Sequence, residues 1–187
     1  MAMPALEHRF WTAADVRELP DDGNRYECID GALLVTPAPK PRHALAVEEL
    51  RALLRGFVLR HGVGVLLGAP ADVETTPGTT VQPDLFVART RLARKLVEWS
   101  DIAGLELAIE VLSPSTARVD RVVKREFYQR AGVAEYWVVD LDARVIERWR
   151  PGDDEPEVVR GTLRWQPRTA AQALELDLAA FFAAVCD

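Results

Sequence analysis

The chain has 187 residues, 49% of them hydrophobic, with 29 acidic against 23 basic side chains, a formal net charge of −6 and a sequence pI near 5.2. That content suffices for one domain over 1–187, with no Gly/Ser linker or charge block to divide it. It excludes a membrane-spanning helix, which needs about 20 apolar residues in a row, and it lacks the global basic bias of most DNA-binding domains. The opening Met1-Ala2-Met3-Pro4 has no charged stretch followed by an apolar core, so a cytoplasmic protein is expected.

Residues 12–19 predict a short helix, with Thr12 as cap and Asp15 three residues on as a weak form of the capping box. Residues 26–29 and 32–35 predict a hairpin turning at Asp30-Gly31. Residues 41–60 carry Leu45, Leu50, Leu53, Leu54, Phe57 and Val58 at helical spacing, which predicts the main covering helix, with Glu48, Glu49 and Arg51 on its wet side. Residues 81–87 predict one strand. Residues 105–112 form an apolar run broken by Glu106 and Glu110, the pattern of a strand buried on both faces. After Ser113-Pro114-Ser115-Thr116, residues 119–131 predict a helix stopped by Gly132, with Asp120, Lys124 and Phe127 or Tyr128 on one face. Strands follow at 135–141 and 145–149 around Asp142-Ala143, then an acidic loop at 151–156 and a closing helix at 176–185 that buries Leu178, Phe181, Phe182 and Val185. Cys28 and Cys186 show no metal-ligand spacing and read as free buried thiols. Tyr136, Trp137, Trp149 and Trp165 suit a stacking platform for bases, but the alternation around Tyr136 favours packing or a subunit contact.

The chemistry concentrates at Gln82-Pro83-Asp84, Glu110 and Lys124. Mg²⁺ is a hard cation that takes one or two carboxylates and completes its shell with water and substrate phosphate oxygens. Asp84 and Glu110 are suited to supply those carboxylates. An ammonium beside them, Lys124, suits charge developing on a phosphate or the orientation of an attacking water. Each residue also has a plainer use: Asp after Pro is common in turns, Glu110 pairs well with an arginine at a strand end, and Asp120 with Lys124 is an ordinary exposed helical pair worth about 0.3–0.5 kcal/mol.

The run Glu110-Val111-Leu112-Ser113-Pro114-Ser115-Thr116, then Asp120, Lys124, Tyr128 and residues 132–140, closely resembles the Uma-two family of endonucleases, and the Arg25-Tyr26-Glu27 and Gln82-Pro83-Asp84 blocks match it in the same order. The resemblance spans about 11–182 and brings the chain under the restriction-endonuclease-like, PD-(D/E)XK superfamily. It implies an α/β (α+β) fold, a mixed central sheet flanked by helices, with Asp84 and Glu110 as metal ligands. It also implies an acid near the metal in the first hairpin, which falls on Glu27. The superfamily lysine expected two residues after the acid would fall at Leu112; the resemblance moves it to Lys124, one of only three lysines among 23 basic residues.

His43, at the start of the long helix, is a further candidate for contact with substrate or a carboxylate. Gln82, Arg121 and Arg125 are candidates for substrate binding, since Arg118, Arg121, Arg125 and Arg130 cluster around the Lys124 helix, and Arg89, Arg91, Arg94 and Lys95 follow Asp84. The reading is a Mg²⁺- or Mn²⁺-dependent DNA endonuclease, a homodimer by default. Its alternatives are a non-catalytic module that binds nucleic acid or protein on the same fold, an acidic protein that assembles with a DNA enzyme, and a hydrolase of another phosphodiester.

Overall fold

The computed structural model describes residues 9–76, 78–90 and 102–187. Arg91, Arg94 and Lys95, part of the second basic cluster, lie outside them.

The first helix, α1 (Ala13–Arg17), starts as its sequence dictates. Thr12 accepts from the Asp15 N–H while the Asp15 carboxylate takes the Thr12 N–H, a full capping box. Strands β1 (Arg25–Ile29) and β2 (Ala32–Thr36) form the expected hairpin, with Asp30 at φ 51° and Gly31 at φ 81°, the two positive dihedrals that such a tight turn requires. Helix α2 (Pro41–His61) has Pro at its first turn and ends on Gly62 in the left-handed region.

Further elements follow among the described residues. They are β3 (Val65–Leu67), β4 (Val73–Thr76), β5 (Thr79–Val81), β6 (Leu85–Thr90), β7 (Ile102–Val111), helix α3 (Arg125–Arg130), β8 (Glu135–Asp140), β9 (Val145–Trp149), β10 (Glu157–Val159) and β11 (Thr162–Trp165). Strand β12 (Leu174–Asp177) then leads into α4 (Leu178–Cys186), capped by the Asp177 side chain.

Three sheets result among the described residues. The order is β2-β1-β5-β4 in a four-stranded antiparallel sheet, β10-β9-β8-β7-β6-β3 in a six-stranded one, and β11-β12 in a small pair. Within the six-stranded sheet β7 and β8 run parallel, and the others antiparallel. A parallel neighbour needs a crossover, and the helical segment between β7 and β8 supplies it. Period-two alternation then divides the sheet into two faces. Leu107, Ile109, Val111, Trp137 and Val139 face the core built with α2 and α4. Phe86, Ala108, Tyr136 and Val138 face the second core, with Ile29 and Val81 from the four-stranded sheet and Phe127 and Tyr128 from α3. Glu110 shares the parity of Ala108, so its carboxylate enters this second layer.

Several expectations need correction. The single strand at 81–87 is two strands in two different sheets, because Pro83 has no N–H to give a ladder and the chain changes sheet across Gln82-Pro83-Asp84. On α2, Leu45 and Leu53 are exposed, and Ala46 joins Leu50, Leu54, Phe57 and Val58 in the core. Leu176 belongs to β12 rather than to the closing helix, whose buried side is otherwise as expected. Cys28 and Cys186 are free thiols, the first buried and the second half-buried. The aromatic side chains are core: Tyr136, Trp137, Trp149 and Trp165 are all buried, and Trp137 meets Trp165 edge-on with centroids 5.9 Å apart. They offer no stacking surface to a base.

The expected helix at 119–131 opens as a π-helical segment, Val119–Lys124, before continuing as α3. Short π segments that interrupt α-helices are frequent at functional sites. Here the segment carries Asp120 and Lys124 inward, and both are buried.

Candidate active site

The site lies on the seam between the two larger sheets. Leu85 pairs with Ile109, which sets Asp84 beside Glu110 across β6 and β7. The Val111 N–H donates to Asp84 Oδ2 at 2.8 Å and fixes the carboxylate against the end of β7. One residue before Pro83, the Gln82 N–H donates to Glu27 Oε1 at 2.7 Å. The junction between sheets therefore presents Asp84 on one side and holds Glu27 on the other.

Lys124 arrives from the crossover helix, and its Nζ lies 2.9 Å from Glu110 Oε1, 2.9 Å from Glu27 Oε2 and 3.9 Å from Asp120 Oδ1. The side chain is 2% exposed, so the ordinary solvent-facing pair with Asp120 is not what forms. The Tyr128 hydroxyl also donates to Glu110 Oε1, at 3.1 Å, and the Tyr136 hydroxyl donates to the Asp120 carbonyl at 3.0 Å. These tyrosines stack at 4.7 Å and wall the site from the second core.

Asp84 has two more partners. Arg25 Nη1 is 2.7 Å from Oδ1 and donates also to the Gln82 carbonyl at 3.0 Å, while its Nε is 3.8 Å from Glu27 Oε2. His43 Nε2 is 3.0 Å from Asp84 Oδ2, and its Nδ1 is buried without a partner among the described residues. Four buried acids, Glu27, Asp84, Glu110 and Asp120, thus cluster around two cations, the buried Lys124 and the partly exposed Arg25.

The excess of acid shows in their proton affinities. Burial pushes the Glu110 carboxyl up to about 8 against the pull of Lys124, with Asp84, Asp120 and Glu27 adding repulsion. Burial raises Asp120 as well, again opposed by Lys124. For Asp84, burial is outweighed by the His43 hydrogen bond and the Arg25 charge, and the carboxyl is held well below the usual range. For Lys124, burial is likewise overcome, by the Glu110, Glu27 and Asp120 charges, so the ammonium is held protonated more firmly than in water. Two neighbouring carboxylates with affinities driven apart are a recurrent feature of acid–base sites.

Asp84, Glu110, Lys124, Glu27 and His43 therefore converge on one cluster. Gln82 contributes its backbone, and its side-chain amide donates to Asp72 Oδ1 at 2.8 Å. Arg121 is held elsewhere, at 2.7 Å from both Asp140 and Glu147, and Arg125 pairs with Glu126 and lies over the Trp149 ring. Arg25 was not among the sequence candidates. Its signal was present, since it stands two residues before Glu27 and side chains two apart on a strand share a face.

The donor set fits a hard divalent cation. Among the described residues no group of three or more His, Cys, Asp or Glu side chains is arranged as a ready-made metal cage. Such a cage is not what Mg²⁺ requires, because one or two carboxylates with waters and phosphate oxygens complete its shell. Adjacent Asp84 and Glu110 carboxylates in an acid-rich, buried cluster meet that requirement.

Multi-stranded sheets flanked by helices give the chain a mixed α+β fold of the kind found in nucleases. The crystal structure of a "putative nuclease belonging to DUF820" from Anabaena variabilis superposes with a TM-score of 0.75 at 20% identity, over 94% of this chain and 99% of that one, a likeness of fold. The model of the Uma2 family, described as "Putative restriction endonuclease", matches residues 13–179, and the chain belongs to that family. No curated protein matches it. Among the described residues no helix is long and apolar enough to cross a membrane.

Proposed function

We propose that the protein is a DNA endonuclease dependent on Mg²⁺ or Mn²⁺, built as a single domain over 1–187, with Asp84 and Glu110 as metal ligands and Glu27 supporting them. The observation that carries this reading is the buried Lys124 ammonium, 2.9 Å from both Glu110 and Glu27. A bound divalent ion would polarise a phosphoryl oxygen and lower the pKa of its water. Lys124 keeps a fixed positive charge next to the acids, suited to charge developing on the phosphate. Tyr128 and the Val111 N–H orient Glu110 and Asp84, so neither carboxylate has to reorganise. His43, against Asp84, is the side chain we assign to substrate or to carboxylate orientation. A cytoplasmic homodimer that cuts both strands is the form we expect.

The test is cleavage of supercoiled plasmid, linear duplex and single-stranded DNA with Mg²⁺ or Mn²⁺, comparing the native chain with Asp84→Asn. Cutting by the native chain alone supports the site. No cutting by folded native protein, together with no Mn²⁺ signal in calorimetry, favours the non-catalytic binding module on the same fold.

A further inference from the structure

Both oxygens of Asp84 are engaged. Oδ2 is held by the Val111 N–H at 2.8 Å and by His43 at 3.0 Å, and the first of these is a backbone group locked at the end of β7. Oδ1 is 2.7 Å from Arg25 Nη1. A cation that binds Asp84 meets the charge of these partners at close range, and the contacts differ in how readily they yield. Arg25 touches Asp84 through a single nitrogen, which it shares with the Gln82 carbonyl, so the contact lacks the two parallel bonds that make an arginine fork strong. Its Nε is 3.8 Å from Glu27, too far for a hydrogen bond. Its side chain is 19% exposed, against 4% for Asp84 and 2% for Lys124, so the guanidinium has water to move into.

We propose that Arg25 is a displaceable counter-ion that occupies Oδ1 of Asp84 and competes with the divalent cation for it. The proposal rests on the metal-dependent reading of the site. Arg25 neutralises the acid cluster while no cation is bound and is given up when one enters. Lys124 cannot do this, because it is buried and enclosed by three carboxylates. The native affinity for the ion is therefore set below what the carboxylates alone would give.

Titration calorimetry with Mn²⁺ tests this on the native chain, Arg25→Met, Arg25→Lys and Asp84→Asn, with no DNA present. A partner that merely supported the site would weaken binding when removed, so the sign of the change decides. Removing the competing charge should tighten Mn²⁺ binding about tenfold or more in Arg25→Met, with Arg25→Lys close to the native chain and Asp84→Asn losing the signal. Should Arg25→Met fail to fold, Arg25→Gln retains an amide that can donate to the Gln82 carbonyl and carries the same expectation. Native binding that is unchanged or weaker in the uncharged variant overturns the role of Arg25 and leaves the metal site standing. Absence of binding in native, folded protein overturns both.

Discussion

Lys124→Met is expected to abolish cleavage and to lower stability by about 3–5 kcal/mol at pH 8, the size of the loss when one partner of a buried ion pair is removed. Lys124 is enclosed with Glu27, Glu110 and Asp120 inside 4 Å of its ammonium. Taking the ammonium away leaves the buried Glu27, Glu110 and Asp120 facing one another with no ammonium between them, an arrangement more costly than an empty apolar site. The deficit should shrink at pH 5.5, because the raised Glu110 and Asp120 carboxyls can then bind protons in place of the lysine. Denaturant melts of both proteins at the two pH values measure it. A deficit below about 1 kcal/mol at pH 8, the range of a surface pair, would mean that Lys124 faces solvent and that the cluster is not closed as described. Lys124→Arg is not a neutral control, since the planar fork cannot occupy the space of a compact ammonium.

The second large effect is on pH dependence. Glu110 binds its proton up to about pH 8 in the fold but ionises near 4.5 when unfolded. Between those values the folded chain holds more protons than the unfolded one, so stability falls as pH rises, by up to about 1.4 kcal/mol per pH unit for each such group. Asp120 acts in the same direction. Asp84 acts oppositely, but its stabilisation is complete above the unfolded pKa and is lost only in acid, so it leaves this window untouched. The protein in EDTA should therefore lose stability steadily between pH 5.5 and 8, and saturating Mn²⁺ should flatten the slope by taking the place of the protons. Glu110→Gln should flatten it without metal and be more stable than the native chain at pH 8 while failing to cut DNA. Stability in EDTA that is level or rising across this range would contradict the strained acid cluster.

Much of this was legible in local sequence. Asp30-Gly31 specifies its turn through backbone dihedrals alone, Thr12 with Asp15 specifies a cap, and an acid inside an apolar run marked Glu110 before any contact was known. Lys124 was legible through its block as a whole, not through its helix, where Asp120 four residues earlier made a solvent pair the simpler reading. The features that escaped are those set by neighbours distant in the chain. Whether 81–87 continues as one strand depends on which sheet accepts each end, and Pro83 marks only where the change can occur. Leu45 and Leu53 fit a helical stripe, yet α2 leaves them exposed and buries Ala46 beside the expected Leu50. The pairing of Arg25 with Asp84 joins residues far apart in the chain, and only the parity of β1 hinted at it.

The π-helical segment makes residue counting part of the site. An α-helical residue advances the chain by about 100° around its axis, and the wider turn at Val119–Lys124 changes the angle at which everything after it emerges. Deleting one residue from 119–123 would let the segment settle into ordinary α-helix. The same residues wound as ordinary α-helix, with none removed, would instead rotate Lys124 away from Glu110 while leaving every side chain of the site chemically intact. The spacing from Thr116 to Lys124 is thus as much a determinant of this centre as the identity of the lysine.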